Sequence, residues 1–213
     1  VPKQPLIVGN PVLVVVDMQE AGDMPAEEVG IEHMPGYDGR IERAQSLIEA
    51  ARAAELPIVF FQEVHRPSGI DFGRELDGVE GEHCVDGRPG TPLHPALLPK
   101  FDGPNHEFHI VKRRYSGFIG TEFEIVLSGL KASTLILVGG LTDVCVHYTF
   151  ADAHQRDFYV RVVTDCVGGS TQYRHDAALD AMEYLQTGAM RTTDEILEAF
   201  RSLTAPVLQG ATR

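Results

Sequence analysis

Three side chains far apart in this chain have the types and settings to do chemistry together: Cys145, Asp17 and Lys112. A cysteine acts as a nucleophile in its thiolate form, which positive charge or a neighbouring base favours. Cys145 closes the stretch T-L-I-L-V-G-G-L-T-D-V-C at 134–145. Its apolar run at 135–138 is short enough to be a strand buried on both faces, and Gly139 and Gly140 end it. Thr142 and Asp143 are capping types, so the thiol is expected in the first turn of a helix. Unpaired backbone N–H groups and the positive end of the helix dipole there favour thiolate, and the same groups could hold an oxyanion. An inert buried cysteine is the competing reading, and position alone leaves both open.

Asp17 ends P-V-L-V-V-V-D at 11–17, a β-branched run suited to a central parallel strand. Lys112 follows E-F-H-I-V at 107–111, a third strand. In an open α/β sheet, ligands collect beyond the carboxyl ends of the parallel strands. The pattern therefore brings a carboxylate, an ammonium and a thiol to one edge. Taken singly, each has an ordinary explanation: a turn aspartate, a solvated lysine, a core cysteine.

The elements that must position them alternate in type. Apolar residues at helical spacing mark a helix over 38–54, and P-I-V-F-F-Q at 57–62 is the second strand, with Glu63 and His65 just past its end. A helix at 121–130 precedes the Cys145 strand, a fifth strand follows at 158–164, and an amphipathic helix spans 173–187. A short strand at 189–192 and a helix at 193–203 complete the order. The expected fold is a three-layer α-β-α sandwich around a mostly parallel, doubly wound sheet of about six strands. Two long irregular segments stand out. Residues 18–37 read as a rim or lid, and residues 66–105 as a binding loop or assembly surface. His83 and Cys84, adjacent in the second, are read as structural.

Composition bounds the partners. At 213 residues and 43% hydrophobic, the chain fits one domain over 1–213 with a full core. No run of about 18 apolar residues is present to span a membrane, and no signal peptide is evident, so the expected location is cytoplasmic. A net charge of -13 argues against nucleic acid. Three cysteines without a C-x-x-C pair suggest neither a disulfide framework nor structural zinc.

The motifs V-V-V-D-M-Q at 14–19, K-R-R-Y-S-G-F at 112–118 and V-G-G-L-T-D-V-C-V at 138–146 resemble the three signatures of the isochorismatase-like cysteine hydrolases. That group includes nicotinamidases, N-carbamoylsarcosine amidohydrolases, ureidoacrylate amidohydrolases, and biuret and triuret hydrolases. The resemblance implies a catalytic triad of Asp17, Lys112 and Cys145, which would cleave a C–N bond of a small amide or ureide through a thioester. It implies that Asp17 takes the thiol proton and returns it to the leaving nitrogen, while Lys112 holds the aspartate ionised. It further implies a cis peptide between Gly140 and Leu141, with the backbone N–H groups of Leu141 and Cys145 as the oxyanion hole. Homodimers or homotetramers are usual in the family.

Departures from the family pattern shape the remaining expectations. Metal-binding members carry an Asp-x-His pair and a further histidine; no Asp-x-His occurs between Asp38 and Glu63, and His65 alone matches. No metal and no other cofactor is therefore expected. The substrate-binding candidates are Gln19, Glu63, His65, Arg114, Tyr115 and Phe118, with Arg114 available to a substrate carboxylate. The lean is toward a small linear amide or ureide. Two other classes stay open: a non-catalytic small-molecule-binding protein, and a thiol redox protein in which Cys166 would be the resolving partner of Cys145.

Overall fold

The computed structural model describes residues 5–102 and 106–204. Six strands form one sheet in the order β3-β2-β1-β4-β5-β6: β1 (Asn10–Val16), β2 (Ile58–Glu63), β3 (Glu107–Lys112), β4 (Ala132–Gly140), β5 (Tyr159–Gly168) and β6 (Met190–Arg191). Every pairing is parallel. Parallel neighbours need crossovers, and helices supply most of them: α2 (Tyr37–Ala53), α3 (Phe123–Gly129), α4 (His147–His154) and α5 (Gln172–Leu185); the β2-to-β3 connection has only short 3-10 turns among its described residues, and α6 (Thr193–Thr204) follows β6. A single turn, α1 (Ala26–Val29), lies in the first long loop.

The alternation of side chains along β1 divides the core into two layers. Val12, Val14 and Val16 face α3, α4 and α5, where they meet Phe123, Leu127, Phe150 and Met182. Leu13 and Val15 face α2 and α6, where they meet Ile41, Leu47, Ile48 and Phe200. Both faces are covered, which is why β1 reads as an uninterrupted apolar run. The three-layer sandwich is thus the expected one. Strands β4 and β5 are longer than expected: β4 begins at Ala132, which pairs with Asn10, and β5 runs on to Gly168, with Val167 and Gly168 paired to Gly139 and Gly140.

The strand order reverses between β1 and β4, the topological switch point at which a doubly wound sheet opens a crevice. Val16 pairs with Gly139 there. Gly139 has φ +110°, and a Cβ on it would lie 2.0 Å from the Val16 carbonyl oxygen, so only glycine lets the two strand ends approach this closely.

The two long loops pack on each other across this crevice. Glu20 and Ala21 donate backbone hydrogen bonds to Pro92 and Gly90, and His94 donates to Met18. Residues 66–102 therefore fold back over the carboxyl ends of β1 and β2 and carry Glu75, Glu80, His83 and Cys84 to that edge.

Candidate active site

Asp17 leaves β1 with φ 46°, a left-handed conformation uncommon for a residue with a side chain and typical of functional turns. Lys112 ends β3 in register with Glu63 at the end of β2. Cys145 lies in a π-helical turn, Thr142–Val146, that runs into α4, and the peptide between Gly140 and Leu141 is cis. These segments converge on one ammonium group. Lys112 is fully buried, and its Nζ lies 2.8 Å from Asp17 Oδ2, 2.7 Å from Glu63 Oε2 and 3.3 Å from Cys145 Sγ. Cys145 Sγ also stands 3.3 Å from Glu63 Oε2.

Two carboxylates thus flank the thiol, and their surroundings push them apart. Burial raises the Asp17 carboxyl to about 6, against the pull of Lys112 and with help from the Glu63 charge. Glu63 suffers the same burial, yet Lys112 and hydrogen bonds from His65 and His83 hold it well below the ordinary carboxylate range. Asp17 is therefore the stronger base, and Glu63 the permanent counter-charge. Asp17 faces both the Lys112 ammonium and the Cys145 thiol, which places the carboxylate to receive a proton.

The thiol itself corrects an expectation. A helix start favours thiolate; here, instead, burial raises the Cys145 thiol well above its ordinary value, and Glu63 and Asp17 add to this while Lys112 opposes it. Desolvation and two anions outweigh one ammonium and a helix end. Burial thus favours the neutral thiol, which a base would have to deprotonate. Lys112 stays cationic: burial disfavours its charge, but Asp17, Cys145 and Glu63 more than compensate.

A small cavity, about 90 Å³, opens onto Cys145. Of the expected substrate contacts, Gln19, Glu63 and Tyr115 line it. Gln19 also clamps the loops, donating to Thr91 O at 2.7 Å and accepting from Glu63 N at 2.9 Å. Three others lie elsewhere. Phe118 is core, packed on Phe123 with the Arg156 guanidinium 4.7 Å above its ring. Arg114 turns to the Asp71 carbonyl and lines a separate groove. His65 is buried behind Glu63. Cys166 packs on α2 in the layer opposite Cys145, so it is no resolving partner.

The count of one metal donor is also corrected. Glu63, His65, Glu75 and His83 bring one ligand atom each to within 4.8 Å of one another. The nitrogen-to-oxygen separations are 3.1, 3.1, 3.3 and 3.9 Å, close to the edge of about 3.3 Å that a tetrahedral site with 2.0–2.1 Å bonds requires. The donor set fits a divalent ion. Burial disfavours a charged His65, but Glu63 and Glu75 raise it to about 9, and His83 is raised by Glu63 in the same way. The signal was present in the sequence as E-V-H at 63–65, one methylene longer than the Asp-x-His pattern. Glu75 carried none, because its loop has no periodicity to place it, and His83, read from the sequence as structural, instead joins this cluster and the cavity wall.

Residues 11–207 match the isochorismatase domain family. A ureidoacrylate amidohydrolase, RutB, of Methylorubrum extorquens is 29% identical over 86% of this chain and 75% of its own length. The N-carbamoylsarcosine amidase of Thermoplasma acidophilum superposes with a TM-score of 0.71 at 25% identity, covering 87% of this chain and 97% of that one. A pyrazinamidase of Pyrococcus horikoshii, solved in complex with zinc, gives 0.69 at 26% identity over 86% and 98%. With the family matched along nearly the whole sheet and every crossover, the chain belongs to the isochorismatase-like hydrolases.

Proposed function

We propose that this chain, an amidohydrolase, cleaves the C–N bond of a small amide through a thioester on Cys145. The observation that carries this reading is Lys112, a fully buried ammonium held between Asp17, Glu63 and the Cys145 sulfur at 2.7–3.3 Å. Burying a charge this completely is costly unless partners surround it, and here the partners are a base and a nucleophile.

Asp17 takes the thiol proton as sulfur attacks the amide carbonyl, so the developing thiolate forms beside Lys112. Charge passing to the carbonyl oxygen meets the backbone N–H groups of Leu141 and Cys145. The protonated Asp17 then gives its proton to the leaving nitrogen, and ammonia or an amine departs. Water attacks the thioester, with Asp17 again accepting a proton and passing it to the departing sulfur, and the carboxylic acid and free thiol are released. Glu63 stays ionised throughout and keeps Lys112 in place.

Glu63, His65, Glu75 and His83 would hold a divalent cation, and the pyrazinamidase of Pyrococcus horikoshii was solved in complex with one, zinc. Such an ion would add positive charge beside Glu63 and at His83 on the cavity wall. The expectation of a linear substrate rested on there being no anchor for a ring nitrogen, and this cluster removes that ground.

Acid-quenched intact mass spectrometry during turnover of an amide panel tests the reading. A mass increase equal to the acyl group, mapped to Cys145 and lost in Cys145→Ala, is expected. Turnover without any adduct on Cys145, and undiminished in the variant, would sink it. Metal analysis of protein dialysed against zinc is expected to give one equivalent, lost in Glu75→Ala and His83→Ala.

A further inference from the structure

The cavity over Cys145 is apolar in body and acidic in charge. Val29, Ile31, Leu141 and Val144 line it, while its ionisable groups are Asp17, Glu63, Glu80 and His83 together with two thiols and two tyrosines and His33. No lysine or arginine lines it among the described residues. Lys112 serves from behind, held by Asp17 and Glu63.

Most of this charge is compensated locally. Asp17 and Glu63 share Lys112, and Glu63 and Glu75 face His65 and His83. Glu80 is what remains. It forms no ion pair or hydrogen bond among the described residues. Burial raises its carboxyl above the ordinary range, with His83 offsetting part of this and Glu63, Glu75 and Asp143 adding to it.

The approach to the cavity has the same sign. An outer groove shares Glu80, Tyr115 and Val144 with it and adds Glu32 and Asp143 against Arg74 and Arg174. Arg74 is already paired with Asp77 at 2.7 Å, and Arg174 rests on Ser170.

We propose that Glu80 determines specificity at this site, selecting amides with an apolar body and an N–H donor or ammonium group, and rejecting amides that carry a carboxylate. The proposal rests on the reading of this cavity as the amide site. A substrate carboxylate here would lose hydration beside Glu80 and find no lysine or arginine on the cavity wall in return. An ammonium or N–H group instead supplies Glu80 with the partner it lacks. Ureidoacrylate and other acid amides are thus poor substrates for this chain.

Two measurements test this and separate it from the hydrolase reading. The first is the rate of Cys145 alkylation, mapped by peptide mass spectrometry, with neutral iodoacetamide and anionic iodoacetate, and the ratio of the two rates is compared with that of free glutathione. Like-charge repulsion in a low-dielectric cavity is expected to make the iodoacetate-to-iodoacetamide ratio at Cys145 about tenfold or more lower than at glutathione. Glu80→Gln should narrow that gap and Glu80→Lys should reverse it. A ratio equal to that of glutathione, no response to either substitution, or no labelling of Cys145 by either reagent would overturn the proposal. The second is ammonia release from hexanamide, 4-aminobutanamide and succinamate. Turnover that favours succinamate overturns the charge selection while leaving the hydrolase intact; selective labelling with no turnover of any amide does the reverse.

Discussion

At the scale of single residues, the site is a problem of where one proton sits. Asp17 and Glu63 stand beside the same lysine, yet only Asp17 has its carboxyl raised, to about 6, so only it can cycle a proton near neutral pH. The base is needed ionised, so activity is expected to fall as pH drops through about 6, and a pH profile of kcat/KM checks it. Asp17→Asn is expected to lower kcat by about 10²–10⁴-fold, the usual range for a lost general base. Its effect on folding has the opposite sense. A carboxyl whose folded value exceeds its unfolded one favours the fold below about 4, and that contribution is gone above about 6. At pH 7 the asparagine variant is therefore expected to be at least as stable as wild type by urea unfolding. Lys112→Ala should behave otherwise. It leaves Asp17 and Glu63 buried and facing each other without a cation, which costs about 3–5 kcal/mol and abolishes turnover. Residue types in sequence identified Asp17, Lys112 and Cys145, because each follows a readable strand. The state of the thiol was not legible, since burial and the second carboxylate exist only once the strands have assembled and β2 has carried Glu63 to the sulfur.

At the scale of elements, the parallel sheet explains why three residues distant in sequence meet. Strands β1, β2, β3 and β4 end along one edge, and the order reverses between β1 and β4, so their last residues face a common crevice. Gly139 sets how closely β4 approaches β1. Gly139→Ala places a methyl group 2.0 Å from the Val16 oxygen at φ +110°, and a loss of several kcal/mol is expected, read as a shift of the urea midpoint. Strands buried on both faces were plain in the sequence as apolar runs, and helices as 3.6-residue periodicity. The segment 66–105 was not. Over its described residues, 66–102, the conformation is fixed by partners far away, such as His65 pairing with Val85 and Gln19 with Leu93, and no local pattern encodes such contacts. That is why Glu75, Glu80 and His83, all near the thiol, were invisible as a group.

At the scale of the whole molecule, charge and assembly come into play. The chain carries a net charge of -13, which disfavours approach of anionic ligands before any contact is made. Reaction of Cys145 with iodoacetate should consequently speed up with added salt, while reaction with iodoacetamide should not. The family usage of homodimers or homotetramers gives an expectation for the intact protein. Ile70 and Val79, both 81% exposed on the long loop, are the apolar side chains such a contact would cover. Sedimentation at micromolar concentration is expected to give an oligomer; a lone 23.4 kDa species would remove that expectation. Among the described residues no helix is long and apolar enough to cross a membrane.

The most direct test of the central claim is ammonia release from a panel of neutral amides by wild type and Cys145→Ala side by side. With Cys145 as nucleophile, wild type releases ammonia and the variant, though folded, falls to background. Release by the variant at the wild-type rate would contradict a thioester route and leave the buried lysine without a catalytic purpose.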